Sequence, residues 1–337
     1  AKAQPLLRDR LGSVLLDLAE ATPNVDTARL ADSFGCIPEV WLLGPFDNER
    51  GSGYRRSLPP EQHLDLSAEL PGKRRAERWR RLPLLPRTRI LPIDRIVHPH
   101  EQSFVYLAMT IVAKDTTPAV LELGTTGSFR VFCNGSEVGS REVERLWRRD
   151  QDAVLLPLVA GKNLLLLKLC HQEGGQFTVS MRLRGNDGRP LPTITTSAEP
   201  ADLTAAAATA APAAPATSAT NATNLGGRTT WPIDSVTGAD ALRCAWLWQA
   251  RAADGDLERH DLAAANRAVA QLPELAEAQL LLAAARKTLR RSEADRDDNE
   301  RRRALEAALA LQPGHVHALV ELGSLLKEGS NLWRRAR

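Results

Sequence analysis

The hydrophobic period changes twice along the chain, from helical to alternating and back to helical. Leu6, Leu7, Leu11, Val14, Leu15 and Leu18 recur at the spacing of one helix face. Pro23 ends that helix. A second short helix over Val25–Ser33 closes at Gly35, because glycine accepts the left-handed conformation of a C′ residue. Residues 1–37 therefore read as a helical hairpin, and one expectation is that it ends an upstream repeat array.

From there the period becomes 2. Phe104–Val112 is apolar on both faces, which predicts a central strand. Phe177, Val179, Met181 and Leu183 alternate with Thr178, Ser180, Arg182 and Arg184, which predicts a strand with one buried and one wet face. Further strands are predicted at Ala119–Gly124, Ser128–Cys133, Ala153–Leu158 and Asn163–Cys170. Turn residues separate them, among them Thr125-Thr126-Gly127 and Asn134-Gly135; Asn-Gly is a strong hairpin signal because both residues tolerate positive φ. Short strands at this spacing indicate an antiparallel β-sandwich over residues 38–193.

Residues 194–230 turn to Ala, Thr, Pro, Ser and Asn, which predicts a flexible linker. Residues 231–337 are helical in period. Leu305, Ala308 and Pro313 close one unit, and Leu319, Leu322, Gly323 and Leu326 open the next in the spacing of a tetratricopeptide repeat. A weaker earlier copy runs through Ala264, Ala268, Pro273, Leu282 and Ala283. The two prolines are 40 residues apart rather than about 34. The excess is assigned to the charged stretch Arg290–Arg303. The fold class expected is thus multidomain α and β: a jelly-roll-like sandwich flanked by helical hairpins, with tetratricopeptide-like helices at the end.

Composition narrows the function classes. A net charge of +3 implies no global attraction to nucleic acid or membrane. No apolar run is long enough to span a bilayer. Cys36, Cys133, Cys170 and Cys244 have no CxxC spacing, so neither a zinc site nor a disulfide framework is suggested. No nucleophile elbow, P-loop, dinucleotide fingerprint or HExxH is present, and the expectation is a protein that is not an enzyme and needs no cofactor.

The candidate ligand-binding residues are Asp47, Asn48, Trp147, Asp150 and Asp152. Asp47 and Asn48 follow the first predicted strand, where they can meet a ligand or bond their own backbone as turn formers. Asp150 and Asp152 are two apart, so an extended chain would put both carboxylates on one face, as a remote hydrolase reading needs. Trp147 can stack on a sugar ring or pack internally. His98 and His100 flank a proline in a metal-like pair without a third ligand. Lys73–Arg89 holds eight basic residues and one acid, either a phosphate-contacting patch or a solvated edge.

Several short motifs together resemble a β-sandwich module of large bacterial tetratricopeptide proteins. They are Trp41-Leu-Leu-Gly-Pro-Phe-Asp-Asn-Glu49, Gly51-Ser-Gly-Tyr54, Leu70-Pro-Gly-Lys73 with Trp79, Asn134-Gly135, Asp150-Gln-Asp152 and Gly161-Lys-Asn163. Many such proteins continue into a transglutaminase-like domain, and the module is similar to galactose-binding-like jelly rolls. The resemblance implies a non-catalytic role in carbohydrate binding or domain packing. Related sandwiches often carry Asp-Asp-Gly where this chain has Thr125-Thr126-Gly127, and two hydroxyls do not replace the carboxylates calcium requires. The expected function is an interaction scaffold that binds a protein or peptide through its helices. The alternative is a glycan-binding module, with the bacterial cell envelope or another extracytoplasmic site ahead of the cytoplasm as its setting.

Overall fold

A computed structural model of the protein describes residues 26–85, 89–172, 174–185, 190–210, 260–287 and 294–335, with isolated residues between 238 and 248. The helix predicted over residues 5–22 and most of the linker lie outside the described residues. The chain divides into two compact units, Ala1–Thr230 and Trp231–Arg337.

The first unit is an antiparallel β-sandwich. Its larger sheet runs β4 (Arg80–Pro83), β1 (Glu39–Asp47), β6 (Ser103–Ala113), β11 (Gly161–His171), β8 (Ser128–Cys133) and β9 (Ser136–Arg141), with β13 (Ile194–Ser197) also paired to β6. The smaller sheet runs β10 (Asp152–Leu158), β7 (Thr117–Thr125), β12 (Thr178–Arg184) and β5 (Ile90–Pro92). A separate ribbon joins β2 (Glu69–Pro71) and β3 (Ala76–Arg78).

Side-chain alternation explains the apolar character of β6. Val105, Leu107, Met109 and Ile111 point between the sheets, into a core shared with Leu121, Leu123, Val154, Leu156, Val179 and Met181. Phe104, Tyr106 and Ala108 point the other way, into a second core with Phe46, Leu64, Trp79, Leu203 and Ala206. The centre of the larger sheet is thus buried on both faces, while its edge strands β4 and β9 are partly exposed. The Asn134-Gly135 turn joins β8 to β9 with φ of 50° and 81°, as the dipeptide predicts.

Two expected boundaries move. The linker does not begin at 194. Ile194–Ser197 pairs with Thr110–Ala113 of β6, and a helix over Pro200–Thr209 buries Leu203 and Ala206 completely in the second core. Composition alone misses this because the apolar partners that order the segment come from the far side of the sheet. The N-terminal boundary at 37 also shifts. Helix α1 (Thr27–Ser33), capped by Asp26, leads into residues 35–37, which join the sandwich. Ile37 lies in the main core, and its amide donates to the Met181 carbonyl at 3.1 Å.

Gly35 makes that junction. Its φ is +73°, and a Cβ there would stand 2.3 Å from the Leu183 carbonyl oxygen. Gly35→Ala is expected to cost about 1–3 kcal/mol in a thermal melt, through a left-handed backbone and a contact with rigid main chain. An unchanged melting temperature would refute that role.

In the second unit α4 (His260–Gln271), α5 (Ala276–Lys287), α6 (Ala294–Leu311) and α7 (Val316–Arg335) form successive helices. Residues 294–303 of the charged stretch extend α6 by several turns. Ala276, Ala283, Ala304, Leu305, Ala308, Ala318 and Leu325 make the core shared by α5, α6 and α7, where small residues let helices approach closely.

Candidate functional site

Antiparallel pairing collects residues distant in sequence at one end of the sandwich. β1 ends at Asp47 opposite Ser103, and β11 ends at His171 opposite the same Ser103. Cys170 pairs with Ser128, and β9 ends at Arg141 opposite Phe129. From the smaller sheet the turn Thr125-Thr126-Gly127 and the start of β10 reach this end too. Asp47, Asn48, His98, His100, Asp150, Asp152 and the threonine turn therefore share one end of the fold.

They do not form one catalytic pair. Asp150 sits at φ 54°, so the chain turns between the two aspartates instead of running extended. Asp150 is buried and accepts from Arg182 Nε at 2.9 Å and from its Nη2. Arg182 Nη2 also lies 3.0 Å from Glu122 Oε2. Burial opposes the Arg182 charge, but Asp150 and Glu122 more than offset it, and its pKa rises. Asp152 turns instead to Arg141, at 3.0 Å, and to Arg145. Because Arg141 ends β9 and Asp152 starts β10, this pair ties the two sheets together. Arg145 also donates through Nε to the Thr125 carbonyl at 3.1 Å, so arginine neutralises this corner. The expectation of two carboxylates on one face is corrected: a single left-handed residue sends them to different arginines.

Asn48 is fully buried, and its Nδ2 donates to the His171 carbonyl at 3.0 Å. Asp47 lies 3.6 Å from Lys73 Nζ, which donates to the carbonyls of Glu101 and Gln102 at 2.8 and 2.6 Å. These contacts hold the loop between β5 and β6 against β1. The imidazoles line up behind it: His98 to His100 at 6.1 Å, His100 to His171 at 6.2 Å, and His171 stacked on Phe177 at 4.8 Å. Burial, with a smaller push from His100, depresses the His171 pKa to about 4. No group of three or more His, Cys, Asp or Glu among the described residues is placed to hold a metal ion.

Trp147 is half-buried in the loop before β10, with the Arg149 guanidinium 5.7 Å above its ring. Leu146 beside it is 82% exposed. The basic run is broken up by partners: Arg78 with Glu69, Arg81 with Glu39 and Glu199, and Arg89 with Asp32. Cys133 and Cys170 are free thiols on different registers of their strand pair, and burial pushes both up to about 12.

A second polar cluster escaped the sequence reading. Lys168 is fully buried on the outer face of the larger sheet, 3.1 Å from Glu61 Oε1, which also accepts from the Tyr106 hydroxyl at 2.5 Å. Lys168 also donates to the carbonyls of Tyr54 and Arg56, and Arg130 lies 3.4 Å from Glu61. Burial lowers the Lys168 pKa and raises that of Tyr106. The one signal in the sequence was a single lysine inside the apolar strand Leu164–Cys170. The adjoining depression, lined by Glu61, His63, Phe132, Leu164 and Ala207 among others, has a cavity volume of about 10 Å³, room for about one water. The cluster pins the 52–62 segment to the sheet.

In the second unit α7 carries an apolar stripe in the open. Val316 is 72% exposed, Leu319 49%, Val320 61% and Leu326 51%. The exposed Gly323 completes it at helical spacing.

No family model and no curated protein matches the chain. Among solved structures it is similar to a family 35 carbohydrate-binding module from an environmental isolate, at 20% identity over 28% of this chain and 72% of that one, TM-score 0.23. It is similar to the PA14 domain of the antifreeze protein MpAFP, at 13% identity over 28% and 52%, TM-score 0.22. A third is the GH31 α-xylosidase from Xanthomonas citri, at 10% identity over 48% and 15%, TM-score 0.24. At these scores the likenesses carry no argument about function. The class that the coordinates themselves define is an antiparallel β-sandwich joined in sequence to a helical unit.

Proposed function

We propose that the chain is a non-catalytic interaction scaffold whose helical unit binds a protein partner and whose sandwich serves as a rigid module. The observation that carries this reading is the apolar stripe of Val316, Leu319, Val320 and Leu326, open along one face of α7. A continuous apolar surface on a folded helix is a mark of association. The internal pairing of Asp150 and Asp152 with arginines supports a framework role for the sandwich end.

Leu319→Asp combined with Val320→Asp tests it. Both positions are exposed, so the fold is expected to persist while partner capture by the full chain falls at least about tenfold. Capture indifferent to the pair would sink the scaffold reading. A second reading, glycan binding by the sandwich, draws on Trp147 and the exposed Leu146 at the loop end. A glycan array read with wild type and Trp147→Ala decides it: loss of a specific signal in the variant supports it, and silence across the array removes it.

A further inference from the structure

Three strands of the larger sheet set a row of polar side chains on its outer face. Lys168 of β11 stands opposite Tyr106 of β6 on one side and Arg130 of β8 on the other. Two cations facing each other across a strand pair repel, and here the Lys168 side chain is 0% exposed, so water does not relieve them. The anion that the row needs comes from a distant part of the chain. Glu61 ends a short 3-10 turn that begins Pro59-Pro60, and the two proline rings restrict the backbone that presents its carboxylate. Its side chain is 4% exposed. Oε1 lies 3.1 Å from Lys168 Nζ and accepts from the Tyr106 hydroxyl at 2.5 Å, while Oε2 lies 3.4 Å from Arg130 Nη1. The Phe104 ring stands 4.6 Å from Nζ and the Tyr106 ring 5.8 Å, so the amine meets the carboxyl group among aromatic rings.

An amine and a carboxyl group held in contact in a buried site are reactants as well as an ion pair. We infer that Lys168 and Glu61 join in an intramolecular amide bond, a covalent strap between the 52–62 segment and β11, formed with loss of one water and assisted by Tyr106 and Arg130. The ammonium first passes the proton it shares with Oε1 to that oxygen, which leaves an amine and a carboxylic acid. The amine keeps two N–H groups for the Tyr54 and Arg56 carbonyls and has its lone pair free for Glu61 Cδ. As the N–Cδ bond forms, Arg130 holds the negative charge that gathers on Oε2. A second proton moves from the nitrogen to Oε1 through the Tyr106 hydroxyl, which ends unchanged. The Cδ–Oε1 bond then breaks and Oε1 departs as water. Burial favours the uncharged amine and keeps Tyr106 protonated. Folding replaces a bimolecular encounter, an advantage that reaches effective molarities of roughly 10⁵–10⁸ M in well-oriented cases. The product also removes a buried ion pair whose desolvation is costly. Arg130 retains Glu137, 2.5 Å from its Nη2, so no cation is stranded. The depression lined by Glu61 has room for the departing water.

Mass spectrometry of the full chain, purified folded and then denatured, tests this. The expected main species is lighter than the sequence mass by one water, and proteolysis should release one branched peptide in which Lys168 is joined to Glu61. Lys168→Met should restore the full sequence mass. Tyr106→Phe keeps the ring and should lower the linked fraction at matched times at least about tenfold, with a circular dichroism spectrum like that of wild type. A wild-type chain at its full sequence mass overturns the inference, whatever the variants do. A missing water located in another peptide, such as the one that holds Asp187-Gly188, overturns it as well. So does a water loss that persists in Lys168→Met. A linked fraction unchanged by Tyr106→Phe overturns the assisted route.

Discussion

Arg182→Met should destabilise the sandwich by about 3–5 kcal/mol, measured as the shift of the urea unfolding midpoint. Arg182 is 2% exposed and meets Asp150 with a two-point contact and Glu122 at 3.0 Å. Glu122 is fully buried and also lies 3.5 Å from Arg184. Methionine fills similar volume but strips positive charge from two buried carboxylates, and breaking a buried pair on one side costs more than the pair contributes. Arg182→Lys keeps the charge without the planar fork and should fall between the two. A loss below about 1 kcal/mol for Arg182→Met would mean that solvent reaches this cluster.

The second large effect is an acid limb. His171 has a side chain 4% exposed, and its pKa lies near 4 against an ordinary 6.5. Burial is the main cause and His100 adds to it, while Asp94 and Glu101 pull the other way. Glu144 lies 3.7 Å from Nδ1. The unfolded chain takes up this proton more readily than the folded one. Stability is therefore complete above pH 6.5 and falls as the pH drops toward 4. At about 1.4 kcal/mol per pKa unit the full loss is about 3 kcal/mol. His171→Gln removes the titration, so urea midpoints measured from pH 7.5 to 4 should give a profile flatter by that amount. Parallel profiles for variant and wild type would refute this assignment.

The strands were legible because their period is local, but the wet face expected for Thr178, Ser180, Arg182 and Arg184 is buried, because the two arginines meet Asp150 and Glu122 there. Phe104–Val112 reads as central from its own residues, and the structure buries every residue of Ser103–Val112 but one. Asn134-Gly135 predicts its hairpin for the same reason, since positive φ is a property of those two residues. The helix Pro200–Thr209 was not legible. Leu203 and Ala206 gain their burial from the sheet, and no window around Ala205 contains that information. The candidate site divides the same way. Asp150 and Asp152 were recognisable as notable carboxylates, but their partners lie 32 residues away at Arg182 and across the sheets at Arg141. Lys168 was visible only as a charge in the wrong place.

The sequence by itself determined the periods: a sandwich between helical segments, the turns, and the repeated proline spacing. Those follow from alternation and local φ preferences, which need no distant residue. Only the tertiary structure decided which charges neutralise one another, that residues 194–209 belong to the sandwich, and that the apolar face of α7 stands open. Each depends on what arrives from elsewhere in the chain, and burial is a property of that meeting.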